Sequence, residues 1–511
     1  MAEISPEHTV LVTGASGYIG SHLLDALSSS RWRLRAAART PERVRAPEGV
    51  DVVKADALNG PAVREAVTNV KTAFYFVHTL GAGAGYAERD RQAATIFAEA
   101  AAEQGVQRIV YLGGLGDDRA VLSDHLASRQ EVGTILASTG VPVIEFRASI
   151  VIGTYSTSFE MIRNLVEKLP AMTTPSWVRM PAQPIAISDV LAYLAAAIDS
   201  PRQPKGHTVY EIGGADVVSY GDIMRLYARR RGLKRLIIPV PVLSPGLSGW
   251  WLHLFTPKEA TVGRQLAQSL RFPTVVTNSK ARTDFPDICP IGTQEAIDHA
   301  LAEEAEEFEN INWTKELAGA EEPVSLLRAG RYIDSRVITV SCPPEAAFDP
   351  ISCIGGERGW YAYDTLWDIR GFMDILVGGP GRRRGRRDQY ALVEGDYLEW
   401  WRVERVRPPS LLRLKAEMRM PGEGWLQYEI SPAEGGALVR QTAIFHAKGL
   451  LGRLYWYSVL PFHHFVFNGT LQGIDRECRA LVAGPNTCPL TGAYEVARKR
   501  RDAADAGSAS D

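Results

Sequence analysis

Short apolar runs alternate with helical periodicities from residue 8 to about residue 305. Val10–Thr13 reads as a strand, Ser21–Ser30 as a helix, and Arg33–Ala38 and Val50–Ala55 as strands. Thr72–Val77 follows, then a helix over Arg91–Glu103, then strands at Arg108–Leu112 and Val143–Phe146. Strands that alternate with helices predict βαβ units around a mostly parallel sheet. From about residue 328 the period changes. Leu412, Leu414, Ala416, Met418 and Met420 alternate with Arg413, Lys415, Glu417 and Arg419, the pattern of a half-buried antiparallel strand. Tyr397–Val406, Trp425–Ile430 and Leu438–Phe445 read as its neighbours. Turn signals at Pro408-Pro409, Pro421-Gly422-Glu423-Gly424 and Glu434-Gly435-Gly436 separate them. A helical pattern with Leu366, Ile369, Met373 and Leu376 on one face precedes them, and a long one over Leu450–Leu481 follows. The expected fold class is therefore an α/β, Rossmann-like, doubly wound parallel sheet followed by an α+β domain. In the second, an antiparallel sheet wraps against a long C-terminal helix.

The boundary between the two periods is acidic: Glu303, Glu304, Glu306, Glu307 and Glu309, then Glu321, Glu322 and Pro323. Such a run reads as a solvated helix face. The expected domains are 1–305 and 328–485, with a linker at 306–327 and a disordered tail at 486–511. The chain of 511 residues carries 57 basic and 59 acidic side chains, a balance that argues against a nucleic-acid partner. Hydrophobic residues at 45% exclude disorder of the whole chain. Five scattered cysteines with no C-x-x-C pair indicate neither a metal site nor a disulfide framework, and make the cytoplasm the expected compartment. Met1–Thr9 lacks the pattern of a signal peptide. No transmembrane segment is expected. The most apolar stretch, Leu454–Phe467, is too short to span and contains Pro461, His463 and His464. It reads as a buried or half-buried helix, with peripheral membrane contact as the alternative.

The strongest chemical motif is Thr13-Gly14-Ala15-Ser16-Gly17-Tyr18-Ile19-Gly20, between the first strand and the first helix. Gly14 permits a tight turn, Gly17 lets a pyrophosphate approach the backbone, and Gly20 lets the helix pack on the sheet. The helix start offers N–H groups and a positive dipole end to phosphates. The second strand runs into Arg39 with no acid there to hold a ribose 2′-OH. Arg39 is read as a partner for a 2′-phosphate, which favours NADP(H) over NAD(H). Asp56, beside Ala57, is placed to accept from an adenine amino group or to cap the next helix.

These residues resemble the short-chain dehydrogenase/reductase superfamily, in its extended or atypical branch related to NmrA-like and isoflavone-reductase-like proteins. The resemblance covers about residues 8–305 and includes Val77-His78, Tyr111 through Gly116, Phe146-Arg147-Ala148 and Gln183 through Val190. It implies cofactor contacts at Gly14 through Gly20, Arg39, Asp56, Ala57, Val77, His78, Gly113, Arg129, Phe146 and Arg147. The C-terminal domain resembles the START-like helix-grip fold, which often encloses an apolar ligand. The superfamily's usual catalytic set is a Tyr, a Lys four residues later, and a Ser at the end of the fifth strand. This chain departs from all three. Gly113-Gly114 ends the fifth strand, and His125 and Arg129 stand at the Tyr and Lys positions, one helical turn apart. With an ordinary pKa of about 6.5, His125 is the expected proton donor. Tyr155 is the fallback, and His78 is a third group able to face a nicotinamide.

Three functions follow. One is an NADP(H)-dependent oxidoreductase of a small apolar carbonyl or alkene compound. The second is a non-catalytic NADP(H) sensor or assembly factor. The third is an apolar-ligand or lipid carrier, suggested by aromatics such as Trp360, Trp400, Trp401, Trp425 and Tyr428. The arginine run Arg382–Arg387 reads as a solvated loop or as an anion-binding patch. The Pro- and Trp-rich segment Ile237–Pro257 reads as an apolar flap.

Overall fold

A computed structural model describes residues 8–79, 85–116, 124–174, 176–199, 206–239, 272–317, 323–328, 330–389 and 391–483. The flap from residue 240 onward, the expected tail, and the side chain of His125 lie outside the described residues. The chain forms two compact units, Met1–Glu306 and Glu307–Asp511.

The first unit is built on seven strands: β1 (Thr9–Thr13), β2 (Arg33–Ala38), β3 (Asp51–Lys54), β4 (Val70–Tyr75), β5 (Arg108–Gly114), β6 (Val143–Ala148) and β7 (His207–Ile212). Helices α1 (Tyr18–Leu27), α2 (Gly60–Val67), α3 (Tyr86–Glu103) and α4 (Asp124–Ala137) connect the early strands. The order across the sheet is β7-β6-β5-β4-β1-β2-β3, and every pairing is parallel. Both faces of the sheet are covered. Val10 and Val12 of β1 pack against Leu23 and Leu24 of α1, while Leu11 faces Val63 and Phe97 on the opposite side. Two-sided burial is why these strands read as continuous apolar runs rather than as alternating ones. The chain leaves β1 toward β2 and later returns to β4 on its other side. That reversal opens a crevice at the carboxyl ends of the strands, where such sheets hold ligands.

The second unit has an antiparallel sheet of β8 (Val324–Arg328), β9 (Arg331–Val340), β10 (Tyr397–Leu398), β11 (Trp401–Arg407), β12 (Leu411–Ala416), β13 (Gly422–Ala433) and β14 (Gly436–Ala447). Its order is β8-β9-β14-β13-β12-β11-β10. Helix α5 (Asp364–Leu376) precedes most of it and the long helix α6 (Gly449–Ala483) follows. One face carries Leu412, Leu414, Leu426, Tyr428 and Val439 into a core with Trp360, Trp400 and Ile474. The other carries Ile333, Trp425 and Ile444 against Phe308 and Trp313. This is the expected helix-grip arrangement, an antiparallel sheet with a long C-terminal helix.

Several local expectations change. The alternating strand stops at Ala416 rather than Met420, and Gly422 and Gly424, read as turn residues, already belong to β13. A Cβ on Gly422 would stand 2.4 Å from the His446 carbonyl oxygen and 2.6 Å from the Phe445 ring, so glycine serves close strand packing there. Tyr397–Val406 is broken at Glu399, whose φ is +59°. Within 306–327, read as a linker, the structure forms a short helix at Trp313–Glu316 and the edge strand β8. Asn312 caps that helix by accepting from the Lys315 N–H at 2.9 Å. Glu304, from the acidic run, is buried and pairs with Arg163 at 2.6 Å. The arginine run is largely spent internally. Arg382 pairs with Glu399, Arg384 with Glu417, Arg387 with Asp396, and Arg386 donates to the Ser352 and Ile354 carbonyls.

A candidate dinucleotide cleft

The glycine-rich turn is held by backbone geometry. Gly14 sits at φ +62°, and a Cβ there would meet the Phe76 carbonyl oxygen at 2.7 Å. The Gly17 N–H donates to the Gly14 carbonyl at 2.8 Å. A Cβ on Gly20 would stand 2.5 Å from that same carbonyl oxygen. Thr13 ties the end of β1 to β4, donating to the Phe74 carbonyl at 3.0 Å and accepting from the Phe76 N–H at 3.1 Å. Gly17 stands at the N-cap of α1 and offers no side-chain cap, so the first turn presents backbone N–H groups and the positive dipole end.

A cleft of about 520 Å³ opens beside this turn. Gly14, Ser16, Gly17, Arg39, Asp56, Ala57, Val77 and His78 all line it. The Asp56 carboxylate accepts from the Leu58 N–H at 3.0 Å. The cap of α2 is Asn59, which accepts from Ala62 at 3.2 Å, so Asp56 does not cap that helix. Ala15 is buried, and Tyr18, Ile19 and Gly20 form the first turn of α1. A Cβ on Gly153 would meet the Tyr18 hydroxyl at 2.2 Å.

Two arginines in the cleft were not anticipated. Arg43 ends a short 3-10 turn, Pro41–Arg43, four residues beyond Arg39. Both are exposed and border the cleft. Arg89 lines it from α3. The Pro-Glu-Arg turn was visible in the sequence as a proline-led bend; Arg89 carried no such signal.

His78 also has an unexpected partner. Its Nδ1 lies 2.9 Å from the Asp90 carboxylate of α3, and the Thr79 N–H and hydroxyl donate to the other oxygen at 2.9 and 2.8 Å. Burial lowers the His78 pKa and the Arg129 charge adds to that, while the Asp90 hydrogen bond opposes it. Burial pushes Asp90 up, but the hydrogen bonds from His78 and Thr79 outweigh it and leave the carboxyl below its usual range. The imidazole is therefore neutral. A carboxylate only accepts, so Nδ1 carries the proton and Nε2 the lone pair.

The expected catalytic pair is only half visible. Arg129 lies over the Tyr111 ring at 4.9 Å and its Nη2 donates to the Leu112 carbonyl. The Tyr111 hydroxyl donates to the Arg129 carbonyl at 3.0 Å. His125 belongs to the first turn of α4. At the end of β5, Gly113 has no room for a side chain: a Cβ would lie 2.8 Å from Glu145 Oε1. A Cβ on Gly114 would lie 2.7 Å from the Leu126 side chain. Phe146 is buried among Tyr193, Tyr210 and Phe285, and Arg147 pairs with Glu145 at 2.7 Å. Tyr155, at φ +65°, follows the short strand Val151–Ile152. None of these last three lines the cleft. Among the described residues no cluster of three or more His, Cys, Asp or Glu is arranged to hold a metal.

Comparison with known proteins places two family models on the chain. The NmrA-like family matches residues 6–317, and a protein family of unknown function, DUF2867, matches residues 326–470. No curated protein matches. Among solved structures, MoeE5 in complex with UDP-glucose and NAD is 18% identical, covering 59% of this chain and 99% of its own at a TM-score of 0.45. A nucleoside-diphosphate-sugar epimerase from Staphylococcus aureus is 16% identical, covering 57% and 99% at 0.46. The Bordetella bronchiseptica enzyme WbmG in complex with NAD is 16% identical, covering 59% and 96% at 0.45.

Proposed function

The chain belongs to the NmrA-like family, and from that premise we propose that its first unit binds NADP(H) in preference to NAD(H) and serves an oxidoreductase reaction. The carrying observation is the end of β2. Two exposed guanidinium groups, Arg39 and Arg43, border the cleft there, and among the described residues that β2 and the turn after it add to the lining (Ala37, Ala38, Arg39, Thr40 and Arg43) there is no carboxylate. Planar guanidinium groups suit a 2′-phosphate. Gly14 and Gly17 keep side chains away from the phosphates, and the uncapped start of α1 faces them. Asp56 accepts at the adenine end. When bound, the dinucleotide supplies or takes up a hydride.

The chain's own residues handle protons and orientation. Asp90 holds His78 in one tautomer at the cleft wall, with the proton on Nδ1. His125, in the Tyr position, is the proposed proton donor, and Arg129 braces its helix on β5 through the Leu112 carbonyl. A small apolar carbonyl or alkene compound is the proposed substrate class. Its support is the concentration of aromatic side chains in the second unit, such as Trp360, Trp400, Trp401 and Tyr428, which we read as a START-like ligand holder. A non-catalytic sensor is the second reading. It is favoured by the crowding at Gly113, which leaves no room for the serine of the wider superfamily.

NADPH oxidation by the full chain, across a panel of apolar aldehydes, ketones and enones, separates the two. Turnover that falls about 100-fold in His125→Ala, with NADPH affinity held, supports the oxidoreductase reading. Full rate in that variant removes His125 from the reaction. No turnover with any compound favours the sensor.

A further inference from the structure

One row of side chains crosses the sheet of the second unit from its interior to its surface. Strand register sets Leu412 of β12, Tyr428 of β13, Gln441 of β14 and Arg336 of β9 side by side. Directly paired residues share a face. This face is the one that α6 covers: Tyr428 packs with Leu426, Val439 and Ile474, and Arg336 donates to the Asn468 side chain at 3.0 Å. Tyr428 is 0% exposed, Gln441 1% and Arg336 6%. Their polar atoms are nevertheless unspent. The Tyr428 hydroxyl, both ends of the Gln441 amide and the Arg336 Nε find no hydrogen-bond partner among the described residues. The indole N–H groups of Trp367, Trp400 and Trp401, around the same core, are unpartnered too.

Buried polar atoms without partners are costly and rare, so neighbouring ones on a single face call for a shared partner. What they offer defines it. Gln441 presents an acceptor and a donor side by side, Tyr428 a hydroxyl and Arg336 an N–H. The complement of a carboxamide is a group with its own adjacent donor and acceptor, which an amide or lactam has. Charge narrows the choice further. The Arg336 guanidinium already faces the buried Asp334 carboxylate at 3.3 Å, and that carboxylate also meets His463 Nδ1 at 3.2 Å. The guanidinium therefore has its counter-charge, and the row suits an uncharged head better than a carboxylate or a phosphate. Leu412, Leu414, Leu426 and Val439 flank the row and suit an apolar body. The Arg336 end is the one nearest solvent, since Asn468 is half-buried and His464, 3.5 Å from Arg336, is exposed.

We propose that Tyr428, Gln441 and Arg336 form a binding site for a small apolar compound with an uncharged, amide-type head. The proposal rests on the reading of the second unit as a ligand holder and is independent of the cofactor. The test is ligand-observed NMR titration of the full chain, without dinucleotide, with three probes: caprolactam, cyclohexanecarboxylate and toluene. The wild type is expected to bind caprolactam more tightly than either of the others. Gln441→Leu, of similar volume, should weaken caprolactam about tenfold and leave toluene unchanged, and Tyr428→Phe should weaken caprolactam about threefold. Thermal melts check that both variants fold, and without probe neither should melt below the wild type, because the atoms removed were unpaired. No binding of any probe overturns the site and the ligand-holder reading together. Toluene bound as tightly as caprolactam, or caprolactam unaffected by Gln441→Leu, leaves the ligand holder standing and overturns the polar row. Tighter binding of the carboxylate overturns the uncharged head. A clear loss of melting temperature in Gln441→Leu without probe would show that ordered water already satisfies the amide, and overturns the site as well.

Discussion

Replacing Gly113 by serine restores the hydroxyl that the wider superfamily carries at the end of the fifth strand, and the structure says that the fold does not tolerate it well. The new Cβ falls 2.8 Å from Glu145 Oε1. The far end of a flexible carboxylate normally yields cheaply, but this one is fixed. Glu145 is fully buried, Arg147 and His207 each hold it at 2.7 Å, and a Cβ on Gly133 would already stand 2.2 Å from its other oxygen. Overpacking of a filled interior costs about 1–3 kcal/mol. We expect about 2 kcal/mol here, since moving the carboxylate also loosens its ion pair with Arg147. The assay is urea unfolding of the full chain, following the transition of the first unit. A double-mutant cycle with Glu145→Ala isolates the cause. That change costs stability by itself, because Arg147 loses its partner, but in its background Gly113→Ser should cost less than about 0.5 kcal/mol, giving a coupling of about 1.5 kcal/mol. A neutral Gly113→Ser, or the same cost in both backgrounds, would refute the packing argument. Equal destabilisation by Gly113→Ala is expected, since the clash belongs to Cβ and not to the hydroxyl.

Acid should weaken the first unit through His78 and Asp90. Both folded pKa values lie below the unfolded ones, so their contribution is present above the unfolded pKa and is lost as pH falls through the folded one. Loss therefore begins below about pH 6.5 for His78, and His78→Gln should flatten that part of a stability–pH curve measured by thermal melting. In the second unit, the hydroxyl of Tyr428 is fully buried without a protein hydrogen-bond partner, and burial holds its pKa well above the ordinary phenol value. Tyr428→Phe should be neutral or stabilising by up to about 1–2 kcal/mol in urea unfolding, and a clear loss would show that the hydroxyl is bonded in solution.

The parts legible in the sequence were those written in local periods. The glycine turn, the strand–helix alternation and the alternating strands of the second unit each need only neighbours within a few residues. What stayed hidden depends on contacts across the fold. Asp90 meets His78 only because α3 returns over the end of β4. Phe146, read as a cofactor neighbour from its place at the exit of β6, stacks instead on Tyr210 and Phe285, from parts of the chain much further on. The face of α5 that carries Ile369 and Met373 was readable as apolar, but periodicity says nothing about which side of a helix is covered, and here that face is outward. The arginine run read as a solvated loop or an anion site because its acidic partners, Glu399, Glu417 and Asp396, lie outside the run itself.

The central claim is that Arg39 and Arg43 select the phosphorylated cofactor. Calorimetric titration of the full chain with NADP⁺ and NAD⁺, for the wild type and for Arg39→Ala/Arg43→Ala, tests it most directly. The account predicts tighter NADP⁺ than NAD⁺ binding in the wild type. The double variant should lose about 10- to 100-fold in NADP⁺ affinity, as expected for removing charge-assisted hydrogen bonds to a phosphate, while NAD⁺ affinity stays within about threefold. Equal affinities for the two cofactors in the wild type, or an unchanged NADP⁺ affinity in the variant, would contradict it.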